Sequence, residues 1–170
     1  MKILMSVSSR HGGTAEIGAR VAQGLRDSSH EVEVVSPDAV TQVDHYDGVV
    51  IGTSVYVGRV GLDLKNLVEQ HGGALRSRPV WMFWSGPVGD QPENVPVPDD
   101  VVEVARNAGA RQVHAFGGRL AREGLSVTEK SLLARVQFEA GDHRDLDAAY
   151  AWGRRVAQEL ATSWSGSTGG

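Results

Sequence analysis

A chain of 170 residues, 41% hydrophobic and 22% charged, is long enough for one domain with a sizeable core and has an ordinary globular composition. Its formal net charge of −4 gives no footprint for nucleic acid, and the lack of cysteine excludes disulfides, thiol catalysis and cysteine-ligated iron–sulfur clusters. No apolar run reaches the ~20 residues of a membrane helix, and the first strand follows Met1 directly, leaving no room for a signal peptide; a cytoplasmic protein with no integral membrane segment is the expectation.

The chain opens KILMSVSSRHGGTAEI. Ile3, Leu4, Met5 and Val7 form a short apolar strand. Ser8, Ser9, Arg10, His11, Gly12, Gly13 and Thr14 then turn the chain. Ile17, Val21 and Leu25 follow at four-residue spacing, one face of a helix. A strand passing through a hydroxyl- and glycine-rich loop into a helix makes an anion site, because the first turn of the helix has free N–H groups and a favourable dipole. A phosphate monoester is the natural guest. The same residues also serve as a plain helix cap. The loop has no Gly-x-x-x-x-Gly-Lys-Ser/Thr, since no lysine precedes Thr14, and no Gly-x-Gly-x-x-Gly, so neither nucleotide fingerprint is present.

Further along, residues 30–35 (HEVEVV) alternate as a second strand, ended by Pro37 and Asp38. Residues 48–52 (GVVIG) read as a third strand covered on both faces, with a loop over 53–59. The spacing of Leu64, Leu67 and Val68 predicts a helix over 61–71, stopped by Gly72 and Gly73. Pro79 opens a fourth strand over 80–84, followed by a small-residue loop from Ser85 to Asp90. Val101, Val104, Ala105 and Ala108 mark the next helix, closed by Gly109. Residues 111–116 form the fifth strand. The pattern over 119–140 is weaker, with Leu132, Leu133 and Val136 on a short helix of an insertion. A last helix covers 145–161 with Leu146, Ala149, Gly153, Val156, Ala157 and Leu160 inward. Residues 163–170 read as a flexible tail after a single domain over 1–162.

Strands alternating with helices imply a parallel sheet with helices on both faces. Ligands then bind beyond the carboxyl ends of the strands. The loops after strands one, three and four should therefore converge on one site, and all three are rich in glycine, serine or threonine.

These loops carry a resemblance. Ser9, Arg10, His11, Gly12, Gly13 and Thr14 resemble the flavodoxin phosphate loop, Ser/Thr-x-Thr-Gly-x-Thr, with His11 replacing a hydroxyl. The stretch Gly52, Thr53, Ser54, Val55, Tyr56, Val57, Gly58 resembles the loop on one face of the flavin ring. Ser85, Gly86, Pro87, Val88, Gly89 and Asp90 resemble the loop on the other. Phe116 to Leu120, 125–136, 141–145 and Ala149 to Trp152 are similar to the flavodoxin-domain branch that includes quinone-dependent protoporphyrinogen dehydrogenases.

The resemblance implies a flavodoxin-like, doubly wound, five-stranded parallel sheet of order 2-1-3-4-5 and one non-covalent FMN. It implies phosphate binding by Ser9 to Thr14 and ring contacts from Thr53, Ser54, Val55, Tyr56, Ser85, Gly86, Pro87, Val88 and Gly89, with Tyr56 stacking. N–H groups of the Ser85 loop would stabilise reduced flavin. The implied activity is electron transfer from a reduced small-molecule substrate to a quinone. A carrier that docks redox partner proteins, or a flavin-free descendant, are the alternatives. Arg59, Arg119 and Arg122 follow strand ends or lie in the insertion; Arg59 and Arg119 facing the flavin side would give a cationic rim suited to a carboxylated substrate, but Asp90 and Glu93 make the charge mixed, and solvated surface charge is the plainer reading of each. Trp81 and Trp84 read as core, His114 as structural, and Asp99 and Asp100 as helix-start charge. No metal-ligand spacing or Ser/His/Asp order stands out.

Overall fold

The structure, a computed structural model, describes residues 1–86, 91–120, 125–135 and 141–165. Five parallel strands form its centre: β1 (Lys2–Ser8), β2 (Glu31–Val34), β3 (Gly48–Tyr56), β5 (Val80–Gly86) and β6 (Ala110–Gly117). The short β4 (Arg59–Val60) folds back antiparallel on β3. Neighbours run β2-β1-β3-β5-β6, which is the expected 2-1-3-4-5 order of the five parallel strands. A separate two-stranded ribbon pairs β7 (Arg119–Leu120) with β8 (Gly141–Asp142).

Alternation along the strands feeds two cores. Leu4, Val49, Ile51, Met82 and Trp84 point to one face, under α2 (Leu62–Arg76) and α3 (Asp99–Ala108). Ile3, Met5, Val50, Trp81 and Phe83 point to the other, under α1 (Gly13–Asp27) and α5 (Leu146–Ser165). Ile17, Val21 and Leu25 are fully buried, as their spacing requires. Trp81 and Trp84 are core residues, and the Trp81 indole donates to Glu159 Oε2 at 2.8 Å. Trp152 is the large side chain that the inward list for the last helix lacks. It is buried, stacks on His114 at 5.4 Å and meets Phe83 and Phe116 edge-on.

Three local expectations are corrected, and the short helix of the insertion is found. Residues 53–56 are strand, because Thr53 and Ser54 continue the ladder onto Trp84 and Ser85. Val57 and Gly58, both at positive φ, then turn the chain into β4. Helix α2 runs through Gly72 and Gly73 to Arg76, since the extra turn buries Leu75 and outweighs the ~1 kcal/mol helix penalty of each glycine. Helix α4 (Val127–Ala134) exists, but Leu132 faces solvent and Glu129 is buried; Val136 lies outside the described residues. Helix α5 extends to Ser165, with the hydroxyls of Thr162 and Ser163 bonded back to the carbonyls of Gln158 and Glu159. Residues 163–165 are therefore helix, and 166–170 lie outside the described residues.

Asp100 does more than charge a helix start. It accepts from the Val60 N–H at 2.9 Å and from Lys65 at 2.6 Å, tying α3 to β4 and α2.

Candidate functional site

The carboxyl ends of β1, β3, β5 and β6 open into a cleft, the position at which open α/β sheets bind their ligands. Arg10, His11, Gly13 and Thr14 line it from the first loop. Ser54, Val55, Tyr56 and Val57 line it from the β3–β4 hairpin, and Ser85, Gly86, Gly118 and Arg119 from the far side. Three loops separated in sequence thus meet at one place. Ser9 faces a neighbouring groove, which shares Arg10, Ser54 and Tyr56 with the cleft and adds Arg59, Gly61 and Leu62. Gly12 caps α1 in the left-handed conformation. Thr53 is buried, and its hydroxyl donates to the Ser54 carbonyl and accepts from the Gly61 N–H. Pro87, Val88, Gly89 and Arg122 lie outside the described residues.

The loop before α1 is built to present donors. The first N–H groups of a helix have no intrahelical acceptor. Here the Ala15 N–H is taken by Ser9 Oγ at 3.2 Å, which leaves those of Gly13 and Thr14, both lining the cleft. Thr14 Oγ1 and Ser85 Oγ lie 2.7 Å apart, both residues buried. One hydroxyl donates to the other, so the second keeps a hydrogen to offer elsewhere. Beside these donors stands Tyr56, with the Arg10 guanidinium 5.0 Å from its ring centroid. Burial pushes the Tyr56 phenol above its ordinary pKa; the charge of Glu129 adds to this, and that of Arg10 opposes it.

Two carboxylates near the loop are neutralised. Glu16, in the first turn of α1, would repel an anion, but Arg144 Nη1 sits 2.7 Å from it and Arg119 Nη1 3.6 Å. Arg144 also holds Asp142 bidentately, with two contacts of 2.8 Å. This network fastens the β7–β8 ribbon to the start of α1. Glu129 accepts from the Ser126 N–H at 2.7 Å and from Arg10 Nη2 at 2.7 Å, and lies 3.6 Å from His11 Nε2.

The Asp142 pair gives an acid-limb prediction. Hydrogen bonding from Arg144, chiefly, holds the Asp142 carboxyl down at about 2, against 3.8 for the free group. A depressed folded-state pKa stabilises above the unfolded value and is lost as pH falls through the folded one. Stability should therefore decline from about pH 4 toward pH 2, and Arg144→Gln should flatten that limb. Urea midpoints at pH 5 and pH 2.5 check it. Asp142 is half exposed, so its share stays under about 1 kcal/mol.

The flavodoxin domain family matches residues 4–147, most of the chain. The chain belongs to the flavodoxin domain family. FMN is accordingly the cofactor of this flavodoxin-domain protein, and the cleft suits it: paired N–H groups and hydroxyls at the helix start for a phosphate, and a flat aromatic wall for a ring. The flavodoxin-domain protein is 30% identical over 95 residues to the quinone-type protoporphyrinogen IX dehydrogenase of Escherichia coli K12. That match covers 55% of this chain, and the chain spans about half (52%) of the length of the relative. In fold it is similar to oxidised flavodoxin 1 from Bacillus cereus, with a TM-score of 0.58, 17% identity and coverage of 95% and 98% of the two chains. The flavodiiron core of Synechocystis Flv1 aligns with a TM-score of 0.67 and 13% identity, covering 96% of this chain and 36% of that one. Among the described residues no helix is long and apolar enough to cross a membrane and no cluster of potential metal ligands occurs.

Reading of the sequence missed Gly118, which lines the cleft, and Glu129. The signal for Glu129 was available: Ser126-x-x-Glu129 is a capping box.

Proposed function

We propose that the protein is a cytoplasmic FMN-dependent oxidoreductase of the protoporphyrinogen dehydrogenase kind, passing electrons from a reduced small-molecule substrate to a quinone-type acceptor. The observation that carries this is the insertion. Helix α4 stands against the cofactor loops, with Tyr56 donating to the Glu129 carbonyl at 3.4 Å and Arg10 bonded to the Glu129 carboxylate. A carrier needs its flavin edge open to a protein partner, whereas a helix beside the cleft gives a small substrate a wall. The likeness to the E. coli dehydrogenase supports the same reading.

In this reading the loop from Ser9 to Thr14 binds the phosphate through the Gly13 and Thr14 N–H groups and the serine and threonine hydroxyls. Thr53, Ser54, Val55 and Tyr56 serve one side of the ring, and Ser85, Gly86, Pro87, Val88 and Gly89 the other. Arg119, lining the cleft, orients a carboxylated substrate. Bound FMN supplies the redox chemistry: the substrate gives up two electrons and two protons, and the quinone gains both as it becomes a quinol. The second reading, an electron carrier docking to proteins, is favoured by Val57 and Leu62, apolar side chains that face solvent beside Arg59.

The purified protein, mixed with FMN and freed of excess, should keep a two-band flavin spectrum. It should then oxidise a porphyrinogen with a quinone as acceptor. Retained FMN without such turnover, together with reduction by a flavodoxin reductase, would establish the carrier. Ser9→Ala combined with Thr14→Ala should weaken FMN by about 10- to 100-fold, as two donor contacts are removed. An unchanged affinity would move the phosphate elsewhere.

A further inference from the structure

Three distant parts of the chain meet at Glu129. Helix α4 would be expected to dock through apolar side chains. Among its described side chains, Glu129 alone is buried, while Val127 and Leu132 face solvent. One Glu129 oxygen takes the Ser126 N–H, and the Ser126 hydroxyl accepts the Glu129 N–H at 3.2 Å, which closes the capping box. The other oxygen holds Arg10. Arg10 lies over the ring of Tyr56, and the Tyr56 hydroxyl returns to the Glu129 carbonyl. The contacts form a closed circuit: Glu129 to Arg10, Arg10 to Tyr56, Tyr56 to Glu129.

We propose that Glu129 is a positioning residue for the cofactor cleft. It fixes the plane of Tyr56 through Arg10 and ties the insertion to the phosphate loop. The inference rests on FMN occupying the cleft, and it decides between two effects of opposite sign. A carboxylate near a phosphate site repels the ligand. A carboxylate that anchors the wall prepays the ordering of Arg10, Tyr56 and α4. The first effect is small, because Arg10 at 2.7 Å leaves the pair neutral at a distance. The second is large, because a loose arginine, a loose tyrosine and an undocked helix would all have to be immobilised on binding.

Glu129→Gln, Arg10→Gln and the double variant test this; the glutamine at 129 keeps the shape and an acceptor for Ser126. Amide hydrogen exchange in the FMN-free protein comes first. Either single variant should speed exchange both in α4 and in the β3–β4 hairpin, and the double variant should go no further. FMN affinity comes second. Each single variant should bind about tenfold more weakly, and the double about tenfold rather than a hundredfold, since both break one circuit. Tighter FMN binding by Glu129→Gln would mean that repulsion dominates and would overturn the proposal. Additive losses, or exchange changes confined to α4, would overturn it too. If the wild-type protein retains no FMN, the cofactor reading fails, while the exchange experiment still decides whether the circuit exists.

Discussion

Gly153→Val is expected to destabilise the protein by about 3 kcal/mol, near the upper end for overpacking. Helices α1 and α5 touch backbone to backbone on the same side of the sheet. A β-carbon at 153 would overlap the carbonyl of Val21, and one at Gly24 would overlap the carbonyl of Tyr150. The obstacle is backbone on both sides, so no rotamer change relieves it, and the helices must separate. Separation also loosens the packing of Val21 and Leu25 against Trp152 and Val156. Because α1 begins at the loop proposed to hold the phosphate, FMN affinity should fall with stability. Gly73, in α2, supplies the contrast. It is exposed and a β-carbon there meets nothing within 4 Å, so Gly73→Ala should stabilise by about 0.5–1 kcal/mol. Urea unfolding of the two variants side by side measures both signs.

The second large effect is at Trp152. Its ring is 1% exposed and is enclosed by His114, Phe83 and Phe116 with centroids at 5.4, 5.9 and 5.8 Å. Trp152→Ala should cost about 3–5 kcal/mol, the transfer term plus the cavity left behind. The indole N–H has no hydrogen-bond partner among the described residues. Trp152→Phe therefore abandons no bond and should recover more than half of the loss. If phenylalanine proves as damaging as alanine in urea unfolding, the N–H has a bonded partner and the packing account is wrong.

The sequence made the sheet readable because β1, β3 and β5 are apolar runs ending in small residues, because β2 alternates, and because Ile17, Val21 and Leu25 keep helical spacing. What it concealed has identifiable causes. A Gly-Gly pair signals a helix stop by propensity, but burial of Leu75 carries α2 through it. The β3–β4 hairpin hid because valine is an unusual residue for its first turn position, where asparagine or glycine is the usual sign. Trp152 falls in the same buried α5 stripe as Ala149 and Val156, although the inward positions read from the sequence did not include it. Helix α4 was expected, but its docking was hidden because its buried group is a carboxylate, which no hydrophobic pattern can reveal. At the cleft, the three loops were visible from composition, while Glu129, the carboxylate partner of Arg10 and His11, was not, since it lies more than a hundred residues away.

The hairpin turn carries an evolutionary consequence. Val57 is a β-branched residue at φ 50°, a conformation that costs a residue of that shape about 1–3 kcal/mol. Asparagine or glycine would relieve that burden. Yet Val57 is also an apolar surface at the mouth of the cleft, lining it while remaining 55% exposed. Position 57 is thus a meter of competing pressures. Lineages selected for robustness should lose the valine, and lineages that keep it reveal that what enters the cleft needs something greasy at its door.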